Sequence, residues 1–147
     1  MSDDLIGLWS LTDFFIVFEN DRPPKTPFGK HPSGFLSYHN NGRMQALLSH
    51  HTRSSFPNDL EHAHLASDRD KAQAFNESLS YAGRWSLSGQ RITHQVLFAT
   101  NPQIIGRALV RHVDLLDEKN LHLSYSVTGR SGPINYILKW TKVLESE

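Results

Sequence analysis

Leu5-Ile6-Gly7-Leu8-Trp9-Ser10-Leu11 near the start of the chain and Lys139-Trp140-Thr141-Lys142 near its end decide the fold. The first and last strands of a small β-barrel must pair to close the cylinder, and a cation packed over an indole there caps one end while the other stays open. Trp9 and Lys142 are therefore read as structural. Period-2 alternation continues from residue 8 to 18 and sets Trp9, Leu11, Asp13, Phe15 and Val17 on one face of the first strand.

Outward from that strand, Asp21 to Pro32 carries four prolines, which deny it both helix and sheet ladder, so it reads as an ordered loop over one barrel end. Asn40-Asn41-Gly42 is a hairpin signal between strands at 34–38 and 44–51. Ser67 to Phe75, with a capping Ser or Asp and good helix formers, predicts one short helix. Turn signals at Ser88-Gly89, Asn101-Pro102, Asp117 to Asn120 and Gly129 to Pro133 then separate strands at 81–87, 91–100, 105–116, 121–127 and 134–143. The pattern is all-β: an eight-stranded up-and-down antiparallel barrel with one short helix, in a single domain over 1–147.

The 147 residues carry 15 basic and 15 acidic side chains, and this zero balance argues against nucleic acid and anionic membrane as partners. No apolar run approaches the roughly 20 residues that span a bilayer. An acidic start without a signal-peptide pattern and the absence of cysteine point to a cytoplasmic protein, and exclude thiol catalysis and thiolate metal sites. Phosphate loops, nucleophile elbows and dinucleotide fingerprints are missing, so no cofactor is expected.

Gly7-x-Trp9, Pro27-Phe28-Gly29, Gly34 to Tyr38, Asn41-Gly42-Arg43-Met44, Tyr81-Ala82-Gly83-Arg84-Trp85, Thr93-His94-Gln95-Val96, Asn101-Pro102 and Arg111 before Leu121 to Ser124 follow one another in a recognisable order. In that order the chain resembles the lipocalin-like domain family of small bacterial and fungal barrels. The resemblance implies a small-molecule pocket and, by analogy with related barrels of secondary-metabolite pathways, either cofactor-free isomerase, cyclase or lyase (dehydratase) activity or a carrier role. A small hydrophobic metabolite is the implied partner, and a homodimer is compatible with such barrels.

The inward residues decide the chemistry. His94 alternates with Ile92, Val96 and Phe98, so its imidazole points with the apolar set, either as a satisfied core histidine or as a general acid or base. Arg111, in phase with Leu109 and Val113, is an inward cation that needs a carboxylate such as Asp13 or a ligand oxygen. Asp13, if inward, is acid or base material; if turned at the mouth, it is solvated. Tyr125, Tyr136 and Tyr38 are candidate hydroxyl donors or ordinary strand fillers.

The candidate catalytic set is thus His94, Arg111, Tyr125 and Asp13. Tyr38, Met44, Leu48, His50, Trp85, Phe98 and Tyr136 form the candidate substrate wall, and Trp140 either lines the cavity or fills its base. His62-x-His64 has metal-like spacing, but no third ligand is placed, so no metal site is assigned.

Overall fold

A computed structural model describes residues 2–57 and 60–144. The expected domain, 1–147, extends past those bounds at both ends. Eight strands form one closed antiparallel up-and-down barrel: β1 (Gly7–Phe18), β2 (Ser33–Tyr38), β3 (Arg43–Ser49), β4 (Ser78–Ser88), β5 (Arg91–Ala99), β6 (Ala108–Leu116), β7 (Asn120–Gly129) and β8 (Gly132–Lys142). Strand β8 returns to pair with β1, with Trp9 opposite Lys142. Closure leaves no sheet edge to protect.

The turns explain the connectivity. Gly42 (φ 83°) and Gly89 (φ 59°) adopt left-handed conformations that complete the β2–β3 and β4–β5 hairpins. Helix α1 (Asp68–Asn76) lies in the β3–β4 crossing, and its Ser67 cap accepts a hydrogen bond from the Asp70 N–H at 3.1 Å. Strand β3 stops at Ser49, short of the expected 51, as the His50 N–H turns to the Glu77 carbonyl at 2.9 Å. Strand β6 starts at Ala108 rather than 105, because a 3-10 turn, Pro102–Ile104, and Gly106 (φ 84°) precede it.

Three β-bulges change which residues face inward, since one extra residue reverses the alternation beyond it. In β1 the register jumps between Leu11 and Asp13, and the intervening Thr12 hydroxyl donates to the Lys139 carbonyl at 3.0 Å. Phe14 is therefore buried, and Asp13 and Phe15 leave the inward set. In β5 the shift opposite Ala82 and Gly83 turns Phe98 outward, 72% exposed. In β6 a shift after Val113 puts Leu116 against the core and leaves Leu115 exposed.

The core fills the barrel from its closed end. Leu5, Trp9, Ile92 and Leu121 are fully buried there, each worth roughly 1.5–3 kcal/mol or more in apolar transfer. The Trp9 Nε1–H donates to the Leu5 carbonyl at 2.9 Å, and Lys142 Nζ sits 4.6 Å from the indole centroid while donating to the Ile6 carbonyl at 2.5 Å. The expected seal is present. At the other end the proline loop crosses the mouth, and Phe28 packs on Phe14 and edge-on to His50, with centroids 5.9 and 5.5 Å apart.

Candidate functional site

Between the seal and the Phe28 plug lies a cavity of about 50 Å³, lined by apolar walls that include Phe14, Leu36, Leu48 and Leu123 and by Tyr81, His94, Arg111, Tyr125 and Trp140. A site of roughly 10–15 Å³ already holds a water molecule, so this one takes a few waters or one small head group. Depressions of about 620 and 640 Å³ occur on the outer wall around Leu8, Ser37 and Gln45, the first also touching Phe35, Leu47 and Phe98. Neither is lined by a cation or carboxylate. The chemistry favours the lumen despite its smaller volume.

His94 is 2% exposed, and both of its ring nitrogens are engaged. Tyr38 Oη lies 2.6 Å from Nε2 and Tyr81 Oη 2.7 Å from Nδ1. Burial, reinforced by the Arg111 charge, pushes the imidazole down to about 3, so it is neutral at physiological pH. A neutral imidazole has one donor and one acceptor nitrogen, hence one tyrosine donates to it and the other accepts from it. Burial also raises both phenols, Tyr38 well above its ordinary value and Tyr81 to about 12, so both stay protonated.

Arg111 reaches the same spot from β6. Its Cζ lies 3.7 Å from the centroid of the Tyr125 ring, and Nη1 donates to the carbonyl of its own neighbour Val110 at 3.2 Å. Tyr125 in turn stacks flat on Tyr136 at 4.6 Å, making a cation–ring–ring column. The expected pairing with Asp13 does not form: the ion pairs among the described residues are Arg53–Glu77 and His112–Asp114, both distant from the lumen. The bulge at Thr12 is the reason, because it takes Asp13 out of the inward phase.

Trp140, 2% exposed, completes the lining, and its Nε1–H is a buried side-chain donor without a partner. Leaving such a group dry costs about 1–3 kcal/mol.

Of the expected site residues, His94, Arg111, Tyr125, Tyr38 and Leu48 converge here, while Met44 is buried in the adjoining core. Tyr136 supports Tyr125 from behind. Trp85 sits outside the cavity, its ring 5.0 Å from that of Tyr38 and its Nε1–H on the His39 carbonyl. His50 belongs to the plug, and Phe98 and Asp13 are displaced by bulges. Tyr81 was not foreseen, although it shares the phase of Gly83, a strand glycine of the kind that marks a bulge. His62 and His64 lie 5.8 Å apart at an exposed 3-10 turn, and no three-residue metal-ligand cluster occurs among the described residues.

A closed barrel with a polar cluster in its lumen is the architecture of a small-molecule binder. The lipocalin-like domain family matches residues 6–143, and the chain belongs to that family. The crystal structure of a lipocalin-like protein from Bacteroides uniformis ATCC 8492 superimposes with a TM-score of 0.51 at 16% identity, over 95% of this chain and 99% of that one. That likeness is one of fold. No curated protein sequence matches the chain, and no helix among the described residues is long and apolar enough to cross a membrane.

Proposed function

We propose that the barrel takes up a hydrophobic, oxygenated small molecule head-first and activates it, without a cofactor, for isomerisation, cyclisation or dehydration. The observation that carries this reading is the convergence of Arg111, Tyr81 and Trp140, three hydrogen-bond donors, on one small cavity with largely apolar walls. Donors fixed in advance stabilise negative charge as it develops on an oxygen, and they do so more strongly where water is excluded.

Cyclisation suits this lining best. The substrate's own nucleophile forms the new bond to a conjugated carbon, the π pair moves onto the carbonyl oxygen held by the donors, and the proton lost by the nucleophile returns to the carbon beside that carbonyl. His94 acts here by orienting Tyr81, not by taking the proton, because both of its nitrogens are already bonded. The same fact favours a second reading, a carrier for the same class of molecule, since no lining residue offers a free base.

Titration with oxygenated apolar metabolites, followed by indole emission and by chromatography of the same mixtures, separates the two. Saturable binding with conversion supports activation, and Arg111→Met then lowers kcat/KM by roughly 100-fold. Saturable binding without conversion supports the carrier. Absence of binding contradicts both.

A further inference from the structure

Building on the second, carrier reading of the lumen as a binding site, we infer that it selects a carboxylate-type head group, because the one charged side chain that lines the cavity, Arg111, has no carboxylate partner among the described residues and the Trp140 N–H beside it has no acceptor. Arg111 has five N–H donors and no acceptor, and the indole of Trp140 is likewise donor-only. The hydroxyls of Tyr81 and Tyr125 can each donate or accept, and for Tyr81 the hydrogen-bond chain behind it directs the O–H.

Tyr38 is 1% exposed, and its hydroxyl has a single hydrogen-bond partner among the described residues, His94 Nε2. Were Tyr38 to accept from Nε2–H, its own O–H would be stranded in a dry core. It therefore donates to Nε2, which fixes the proton of the neutral imidazole on Nδ1. Nδ1–H then donates to Tyr81 Oη at 2.7 Å, and the Tyr81 O–H is left to point to the cavity it lines. The relay Tyr38 to His94 to Tyr81 runs one way and ends as a donor.

A guanidinium without a carboxylate, an indole N–H without a partner and a phenol oriented to donate together call for a ligand oxygen that only accepts and carries negative charge. A cavity of about 50 Å³ fits that head group alone. The apolar body must then extend past Phe14 toward the mouth, where Phe28 packs. An amide or an alcohol head carries no charge to set against Arg111, which no carboxylate balances among the described residues.

The test uses matched bodies with different heads: octanoate and 4-phenylbutanoate, each against its alcohol and its primary amide, titrated by calorimetry at neutral pH. The acids bind roughly tenfold tighter or more than either neutral partner. Arg111→Met reduces each acid to the affinity of its alcohol, and Arg111→Lys, which keeps the charge, retains part of the preference.

Tyr38→Phe, remote from the ligand, also lowers acid selectivity, and the ¹⁵N shifts of His94 change from the Nδ1–H tautomer. A merely structural Tyr38 would leave both readouts in place. Equal affinity for acid, alcohol and amide overturns the head-group inference while leaving small-molecule binding standing. Failure of all six compounds to bind overturns both.

Discussion

Two tryptophans and two cations mark two levels of this barrel, the closed end and the cavity above it, and they are treated in opposite ways. At the closed end Trp9 gives its N–H to Leu5, and Lys142, over its ring, gives a proton to the Ile6 carbonyl. Deeper in, the Trp140 N–H has no partner, and Arg111 over Tyr125 reaches only the carbonyl beside it. The first set is complete within the chain and stabilises the fold. The second is incomplete within the chain, and a ligand oxygen is the missing member. The same residue chemistry serves structure in one place and binding in the other, and what separates them is whether the local backbone supplies an acceptor.

Breaking the complete end has the largest expected effect. Trp9→Ala removes a fully buried indole and its hydrogen bond, and lowers stability by about 3–5 kcal/mol in urea unfolding.

The central histidine comes next, through pH. His94 titrates at 6.5 when unfolded and about 3 when folded, so on acidification the unfolded chain takes the proton first. Stability is fully present above pH 6.5 and declines steadily below it, by roughly 2 kcal/mol at pH 5. A urea midpoint that stays flat between those values contradicts a buried neutral imidazole. Tyr81, raised to about 12, gives the mirror effect, with stability lost as pH rises from 10 toward 12.

The two cations sharpen the comparison at smaller scale. Lys142→Met loses a charged hydrogen bond and costs about 1.5–3 kcal/mol, whereas Arg111→Met stays within about 1 kcal/mol of the parent, because it removes a cation that no carboxylate balances. Smallest of all, Trp140→Phe shifts stability by less than about 1 kcal/mol, and upward, as the unpartnered donor disappears. Both lumen substitutions weaken ligand binding while sparing the fold.

The barrel was legible because its signals are local: hairpin glycines, a proline loop and alternation that stays in phase for most of each strand. His94 and Tyr125 were legible for the same reason, each lying before any bulge on its strand as counted from the seal, and Arg111 because it shares an uninterrupted run with Leu109 and Val113 on the mouth side of the β6 bulge. Asp13 and Phe98 lie beyond bulges, and there the alternation reports the wrong face. Thr12 carries no mark of its role in sequence, whereas Gly83 carries one: an added Cβ would come within 1.9 Å of the Gln95 carbonyl oxygen. The Tyr81–His94–Tyr38 chain depends on three strands meeting across the lumen, and no spacing along one chain segment encodes that. The same holds for the partnerless state of Trp140, which is a property of what surrounds the indole.

The central claim concerns one N–H group, and indole ¹H–¹⁵N resonances report on it directly. The chain has three tryptophans and so three such signals. On titration with 4-phenylbutanoate the Trp140 signal moves downfield and saturates, while those of Trp9 and Trp85, already bonded to Leu5 and His39, stay in place. Saturable binding that leaves Trp140 unmoved, or that shifts Trp9 instead, contradicts the account.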